Sequence, residues 1–372
     1  MDKRREGNYD LLRILCTVGV MTIHISSLYT EAITDLQWFG QLYLDHIVIS
    51  CLYNVLARFA VPCFVMLSGA FILADERNAD YKYFYEKSFR NIGIPTLVFS
   101  CAYFLYNEAV AAAHVVIGGE SVRRLLIPLR SVLFGAPFYH MWYLYMLPGL
   151  YIITPVIIRF RQSVKESTFS KFAWIFLVLT CISGWTSSHA VNWDVGNQAC
   201  YLGYYLVGYE LRKWGNKNKN QIKGFSVITA GFAVELLIVF LRYRQALAQV
   251  ADSDLHFELV APFSPLIAVS SVLIFLGFSL LKMGEIYGKM ASCTLFIYLF
   301  HAGVWEVGMF IVKRLVGFDG DNRVVIPVCI VVVFLFSWLL AIVYQKLWKY
   351  FDERWKISDK LCRLVRLSKQ KI

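Results

Sequence analysis

Arg13 and His24 lie eleven positions apart in the apolar stretch DLLRILCTVGVMTIH. At 100° per residue that spacing is three turns plus about 20°. Both side chains therefore share one helical face, about 16 Å apart along the axis. Asp10, three residues before Arg13, is placed to pair with it, and Thr17 falls on the same stripe. Ionisable groups in an apolar helix are costly, and they face a bundle interior or a water-filled cavity. A histidine at the end of such a polar track suits a general base or a nucleophile, because its ring stays neutral and basic near pH 7. Snorkelling of Arg13 and simple packing of His24 would account for either residue alone, but less well for the set. His24, Arg13 and Asp10 are the candidate catalytic residues.

A second apolar run, NVLARFAVPCFVMLSGAFIL, repeats the anomaly at Arg58, shortly before Pro62. An arginine this deep needs a carboxylate, a phosphate or several carbonyls as partner. Pro62 removes a backbone donor and predicts a kink, with Ser68 and Gly69 one or two turns on, where backbones can approach. In YKYFYEKSFRNIGIP, Lys87 and Arg90 are three apart and share a face just before the next apolar run. Arg58, Ser68, Lys87 and Arg90 are the candidates for holding an anionic cofactor's phosphates. Basic residues that merely mark the inner side of the membrane are the plain alternative for the last two.

The stretch FGAPFYHMWYLYMLPGLYIITP places His140, Trp142 and Tyr143 at a predicted outer interface. That is either an ordinary aromatic belt or the edge of a sugar-binding site. His301, in TLFIYLFHAGVWEV, joins them as a substrate-binding candidate, although a lone histidine is more commonly a packing residue. Asp194, Glu210, Glu235 and Glu285 read as lying near helix ends and carry little specificity. The nine cysteines show neither CxxC nor Cys/His ligand spacing, so no metal site is predicted.

These residues need a frame of membrane helices. The chain has 372 residues, 58% hydrophobic and 17% charged, with mean hydropathy +0.54. Soluble domains carry nearer a quarter charged residues. The predicted fold is an all-α polytopic membrane protein. Ten candidate spans lie near 11–30, 47–73, 91–111, 139–158, 172–188, 198–211, 224–241, 262–281, 291–312 and 324–348. No linker or repeat divides the chain, which reads as one domain over 1–372. The net charge of +11 sits in short loops and at both ends, so topology control rather than nucleic-acid binding is the reading. With a cytoplasmic N-terminus, 27 Lys and Arg fall inside and 8 outside. That bias puts both termini in the cytoplasm. The basic tail can also touch anionic lipid. The basic N-terminus followed by an apolar run broken by Arg13 and His24 reads as an uncleaved first helix.

Taken together, the chain resembles the membrane-bound acyltransferase family 3, the bacterial acyl-CoA-dependent O-acyltransferases. The resemblance rests on DLLRILCTVGVMTIH, RFAVPCFVMLSGAFIL, KSFRNIGIP and YHMWYLYMLPGLYIITP. LGYYLVGYEL and TLFIYLFH add to it, in that order along nearly the whole chain. It implies a bundle of ten helices. It also implies transfer of an acyl group, often acetyl, from cytoplasmic acyl-CoA to a hydroxyl of a cell-envelope polysaccharide or lipid-linked sugar. His24 matches the family's essential histidine, Arg13 its arginine, and Lys87 and Arg90 its second basic motif. Acyl-CoA would be a donor substrate, with no permanently bound cofactor, in the cell (inner or plasma) membrane. Some members carry an extracytoplasmic esterase-like domain after the last helix, and this chain shows none. It would act alone or with a separate extracytoplasmic transferase. Two other readings stay open at this stage: a secondary transporter or flippase of an envelope precursor, and a sensor or scaffold. No inverted repeat supports the first, and no fused soluble domain the second.

Overall fold

The computed structural model describes residues 5–30, 40–118, 137–186, 201–247, 259–315 and 322–367. Within these the protein is helical, without a strand. The helices are α1 (Gly7–Thr30), α2 (Gly40–Val55), α3 (Ala60–Ile72), α4 (Tyr81–Ser88), α5 (Ile94–Gly118), α6 (Trp142–Ser163) and α7 (Glu166–Thr186). They continue with α8 (Leu202–Lys217), α9 (Gln221–Leu247), α10 (Pro265–Leu280), α11 (Thr294–Leu315), α12 (Asn322–Trp355) and α13 (Ile357–Leu367).

Among the described residues, six stretches are long and apolar enough to cross a membrane: Gly7–Ser27, Val48–Ile72, Tyr139–Ser163, Gln221–Arg244, Thr294–Ile311 and Arg323–Trp355. The pair Pro265–Leu280 and Glu285–Ala291, bent by 106°, makes a seventh if counted as one span. This is a multi-pass membrane protein. The remaining predicted stretches, near 91–111, 172–188 and 198–211, are also helical but do not reach that length and apolarity within the described residues. Positions 187–188 and 198–200 of those predictions lie outside the described residues, as does Asp194. Among the described residues the structure thus shows six of the ten predicted spans, or seven with the bent pair. Exposed apolar side chains run along the long helices: Phe225, Leu236 and Phe240 on α9, and Val328, Leu335, Phe336 and Leu339 on α12. Such stripes suit contact with lipid tails.

The chain forms two compact units. One comprises Met1–Asp75 with Val164–Val343, and the other Glu76–Ser163 with Tyr344–Ile372. In the first, helices meet backbone to backbone. A Cβ on Gly69 of α3 would collide with the Tyr205 carbonyl of α8, and one on Gly208 of α8 with the Met66 carbonyl of α3. On α9 and α10, Gly224 and Gly277 face each other in the same way. Lipid offers little hydrophobic drive for helix pairing, so small residues that let backbones approach take over that role. α1 packs against α2, α3 and α11 within this unit.

The predicted kink before Pro62 is a full break. α2 ends at Val55, residues 56–59 form turns with i−3 bonds from Ala57 and Arg58, and α3 restarts at Ala60. Pro62 has no N–H for the Arg58 carbonyl and its ring crowds it, which ends the helix upstream of the proline.

In the second unit, Tyr85 donates to the Ile152 carbonyl at 2.7 Å and Phe84 packs on Tyr151. Arg90 meets Asp359 of α13 at 2.7 Å. The hydrogen bond from Arg90 holds the Asp359 carboxyl below its usual range.

Two tests follow from this packing. Gly208→Leu should cost about 3 kcal/mol or block assembly, read as a lower melting temperature in detergent, while the same change at Gly308, which meets nothing within 4 Å, should be tolerated. Because the Asp359 pKa is depressed in the folded state, its contribution is present at neutral pH and fades as pH falls through the lowered value. Proteolysis of α13 should therefore accelerate on acidification, and Asp359→Asn should show the faster rate already at neutral pH.

Candidate active site

Both ends of α1 are tied by polar contacts in the first unit. At the N-terminal end, Asn8 donates to the Phe278 carbonyl at 2.8 Å and Arg5 to the Gly288 carbonyl. Tyr9 is buried between Phe71 and Phe275. The predicted pair forms: Arg13 donates to Asp10 at 2.7 Å, and Arg5 lies 3.9 Å from the other carboxylate oxygen.

The Arg13 guanidinium sits 4.6 Å from the Phe71 ring centre, and Arg212 of α8 sits 4.3 Å from the same ring. Arg212 also pairs with Glu6 and donates to the Ala70 carbonyl at 3.1 Å. Lys219 donates to the carbonyls of Ser279 and Leu281 and lies 5.6 Å from the Tyr9 ring centre. Four cations thus gather around two carboxylates at this end. Sequence reasoning missed Arg5, Glu6, Arg212 and Lys219. Nothing local marks them, since they come from separate segments that only the packing of α1, α3, α8 and α10 brings together.

Toward the other end of α1, the His24 and His301 rings lie 5.4 Å apart between centres and 28° from parallel. His301 is 2% exposed, and its Nδ1 is 2.5 Å from the Tyr298 carbonyl. Met21 and Ile25 of α1 share one hydrophobic cluster with Ile297 and Trp305 of α11. Asn54 of α2 binds this end of α1. Its amide nitrogen donates to the Ile23 carbonyl at 3.2 Å, to Ser26 Oγ at 3.1 Å and to Ser27 Oγ at 3.2 Å. Its amide oxygen accepts two bonds from Arg58, at 2.8 and 2.5 Å. Arg58, predicted deep in a continuous span, stands in the break between α2 and α3.

Midway, the Thr17 hydroxyl bonds to the Arg13 carbonyl at 2.9 Å, and the Ser68 hydroxyl bonds to Phe64 of its own helix at 3.1 Å. Glu235, which reads in sequence as lying near a helix end, is instead fully buried midway along α9 and accepts from Ser270 at 2.7 Å.

The other candidates belong to the second unit. Lys87 donates to Asn78 at 3.2 Å and lies 5.4 Å from the Tyr83 ring centre. Arg90 engages Asp359 and, at 3.5 Å, Glu86. His140 is buried among Tyr103, Phe138 and Tyr139 rather than at an exposed edge. Trp142 is exposed, and Tyr143 crosses it at 6.2 Å. Among the described residues no group of three His, Cys, Asp or Glu is spaced to hold a metal ion.

One helix therefore carries an arginine–aspartate pair at one end and a histidine in a two-ring cluster toward the other. The family model of an acyltransferase domain, acyltransferase family 3, matches residues 6–342. The chain belongs to that family. No curated protein and no solved structure matches it. The match takes in both ends of α1, α8 with Arg212 and α11 with His301, and stops within α12. Apart from Arg5, which directly precedes the match, the residues gathered at the two ends of α1 thus lie inside the acyltransferase domain.

Asn54 is the joint most exposed to a test. Asn54→Leu removes the Asn54 bonds to Ile23, Ser26, Ser27 and Arg58, at about 1–3 kcal/mol. A lowered melting temperature together with reduced transfer activity is the expected result, with Asn54→Asp, which keeps the oxygen for Arg58, the milder of the two.

Proposed function

We propose that this protein is an integral membrane O-acyltransferase of the inner or plasma membrane. It would move an acyl group, most simply acetyl, from cytoplasmic acyl-CoA to a hydroxyl of an envelope polysaccharide or lipid-linked sugar. The observation that carries the reading is His24, stacked on His301 toward one end of a helix whose other end carries Arg13, with Arg5, Arg212 and Lys219 gathered there from neighbouring segments. In this reading the charged end is the cytoplasmic mouth, both termini are cytoplasmic, and the bundle has ten spans. The positive-inside bias of the sequence supports that orientation.

The chemistry follows from what the side chains offer. Arg5, Arg13, Arg212 and Lys219 outnumber Glu6 and Asp10, so that end attracts the donor's phosphates. A pantetheine arm would then run along the helix toward His24. His24 takes the proton of the acceptor hydroxyl as the oxygen attacks the thioester carbonyl. The new C–O bond forms, the C–S bond breaks, and the CoA thiolate leaves and takes up the proton. In the two-step variant His24 attacks first and the acceptor oxygen displaces the acyl group from it. The acyl group goes to the acceptor directly or is handed to a separate extracytoplasmic transferase.

The test is CoA thiol release by purified protein in detergent, fed acetyl-CoA and a crude envelope glycan extract. Wild type should release CoA in an acceptor-dependent manner, and His24→Ala should lose on the order of 10²–10⁴-fold. Arg212→Gln should raise KM for acetyl-CoA more than it lowers kcat. Release unchanged in the His24 variant would remove that residue from the reaction, and no release with any acceptor would favour transport of an envelope precursor instead.

A further inference from the structure

Away from α1, the pair α7 and α8 encloses a second polar site within the first unit. A Cβ on Gly203 of α8 would collide with the backbone of α7 at Leu177, so the two helices touch at that end. Further along, the rings of Phe169 and Tyr209 meet between them, 5.8 Å apart between centres. Beyond the rings lies a cavity of about 470 Å³, within the range of about 300–1,000 Å³ usual for small-molecule sites. The acyl-transfer reading makes no use of it.

The lining is charged and balanced. α8 supplies Glu210, Lys213, Trp214 and Lys217, spaced i, i+3, i+4 and i+7 and so on one helical face. α7 adds Glu166, Ser167 and Ser170. Lys213 meets Glu166 at 2.5 Å, and that hydrogen bond holds the Glu166 carboxyl below its usual range. A second charge of each sign lines the same cavity: Lys217, exposed, and Glu210, half-buried. From Ser170 an apolar stripe runs along α7. Trp174, Val178 and Ile182 follow at steps of four, with Ile175 and Leu179 beside them, and all five are exposed. Trp214, also exposed, stands with the lysines at the polar end of the pair. In a membrane protein an exposed apolar stripe meets lipid tails, and tryptophan beside lysine marks the level of the headgroups.

We propose that this cavity binds the headgroup of a membrane phospholipid that carries both a phosphate and a primary ammonium, the phosphoethanolamine type. The phosphate oxygens accept from Lys213, Lys217 and the hydroxyls of Ser167 and Ser170. The ammonium donates to Glu166 and Glu210. The acyl chains lie along the α7 stripe. A headgroup of one sign would be attracted by one pair of side chains and repelled by the other. A zwitterion is complementary to both, and the stripe selects a ligand that brings its own hydrocarbon.

The test needs no acyl transfer, so it stands or falls apart from that reading. Full-length protein is delipidated in detergent and titrated with phosphatidylethanolamine, phosphatidylglycerol or glycerophosphoethanolamine, which has the headgroup without chains. Retained lipid is read by native mass spectrometry and stabilisation by melting temperature. Wild type should retain phosphatidylethanolamine over phosphatidylglycerol. Lys217→Gln should weaken that retention on the order of 10-fold, the loss of one charge-assisted bond. Glu166→Gln should move the preference toward phosphatidylglycerol, because the cavity then carries a net positive charge. Both positions are exposed, so the variants should fold, and Lys171→Gln, exposed on α7 outside the cavity, should behave as wild type. Equal retention of the two lipids by wild type, or a preference that Glu166→Gln leaves unmoved, would overturn the proposal. Stabilisation by glycerophosphoethanolamine equal to that by the intact lipid would overturn it as well, since the ligand would then be a soluble headgroup.

Discussion

Asn54 joins the structure at its weakest point. The turn between α2 and α3, ahead of Pro62, places a guanidinium in the middle of an apolar span. In hydrocarbon each such group is costly unless it finds a partner within the protein. One amide answers for both sides. Its oxygen takes two bonds from Arg58, and its nitrogen reaches three acceptors on α1. The break is thereby turned into the clamp that holds the His24 end of the first helix.

The opposite end of α1 is held by different means. Asn8, Arg212 and Lys219 donate to backbone carbonyls of Phe278, Ala70, Ser279 and Leu281, at the C-terminal ends of α3 and α10. Helix C-termini leave such carbonyls without an intrahelical partner and carry partial negative charge, which favours cations there. The charges that would attract an anionic donor are therefore also structural caps. Phe71 carries two of the guanidiniums at 4.6 and 4.3 Å from its ring centre, a position where the ring's negative face offsets part of their mutual repulsion. Structure and electrostatics are served by the same side chains, so the polar end of α1 is rigid rather than a loose cluster of charges.

Helix periodicity and composition were sufficient for much of this. The all-helical membrane class, the shared face of Arg13 and His24, and the Asp10–Arg13 pair all depend on spacing within one helix, which sequence carries directly. The proline's disruption was also legible, though not that it breaks the helix four residues upstream rather than bending it. Span counting carried part of the way: among the described residues six of the ten predicted spans, or seven with the bent pair, are long and apolar enough to cross a membrane.

The tertiary structure decided what lies between helices. Sequence distance hides the meeting of His24 with His301, of Asn54 with Ser26 and Ser27, and of Arg13 with Arg212 across Phe71. Glu235 read as a helix-end residue because its partner, Ser270, belongs to the next helix. Lys87 and Arg90 read as a cation pair open to phosphate, whereas Asn78, Glu86 and Asp359 engage them in the second unit. The physical reason is the same in each case. The sequence by itself determined which residues an apolar helix must tolerate, because burial is written in composition and period. Which partner satisfies each of them was settled only when glycine-mediated contacts brought the helices close enough for side chains from distant segments to share one hydrogen bond.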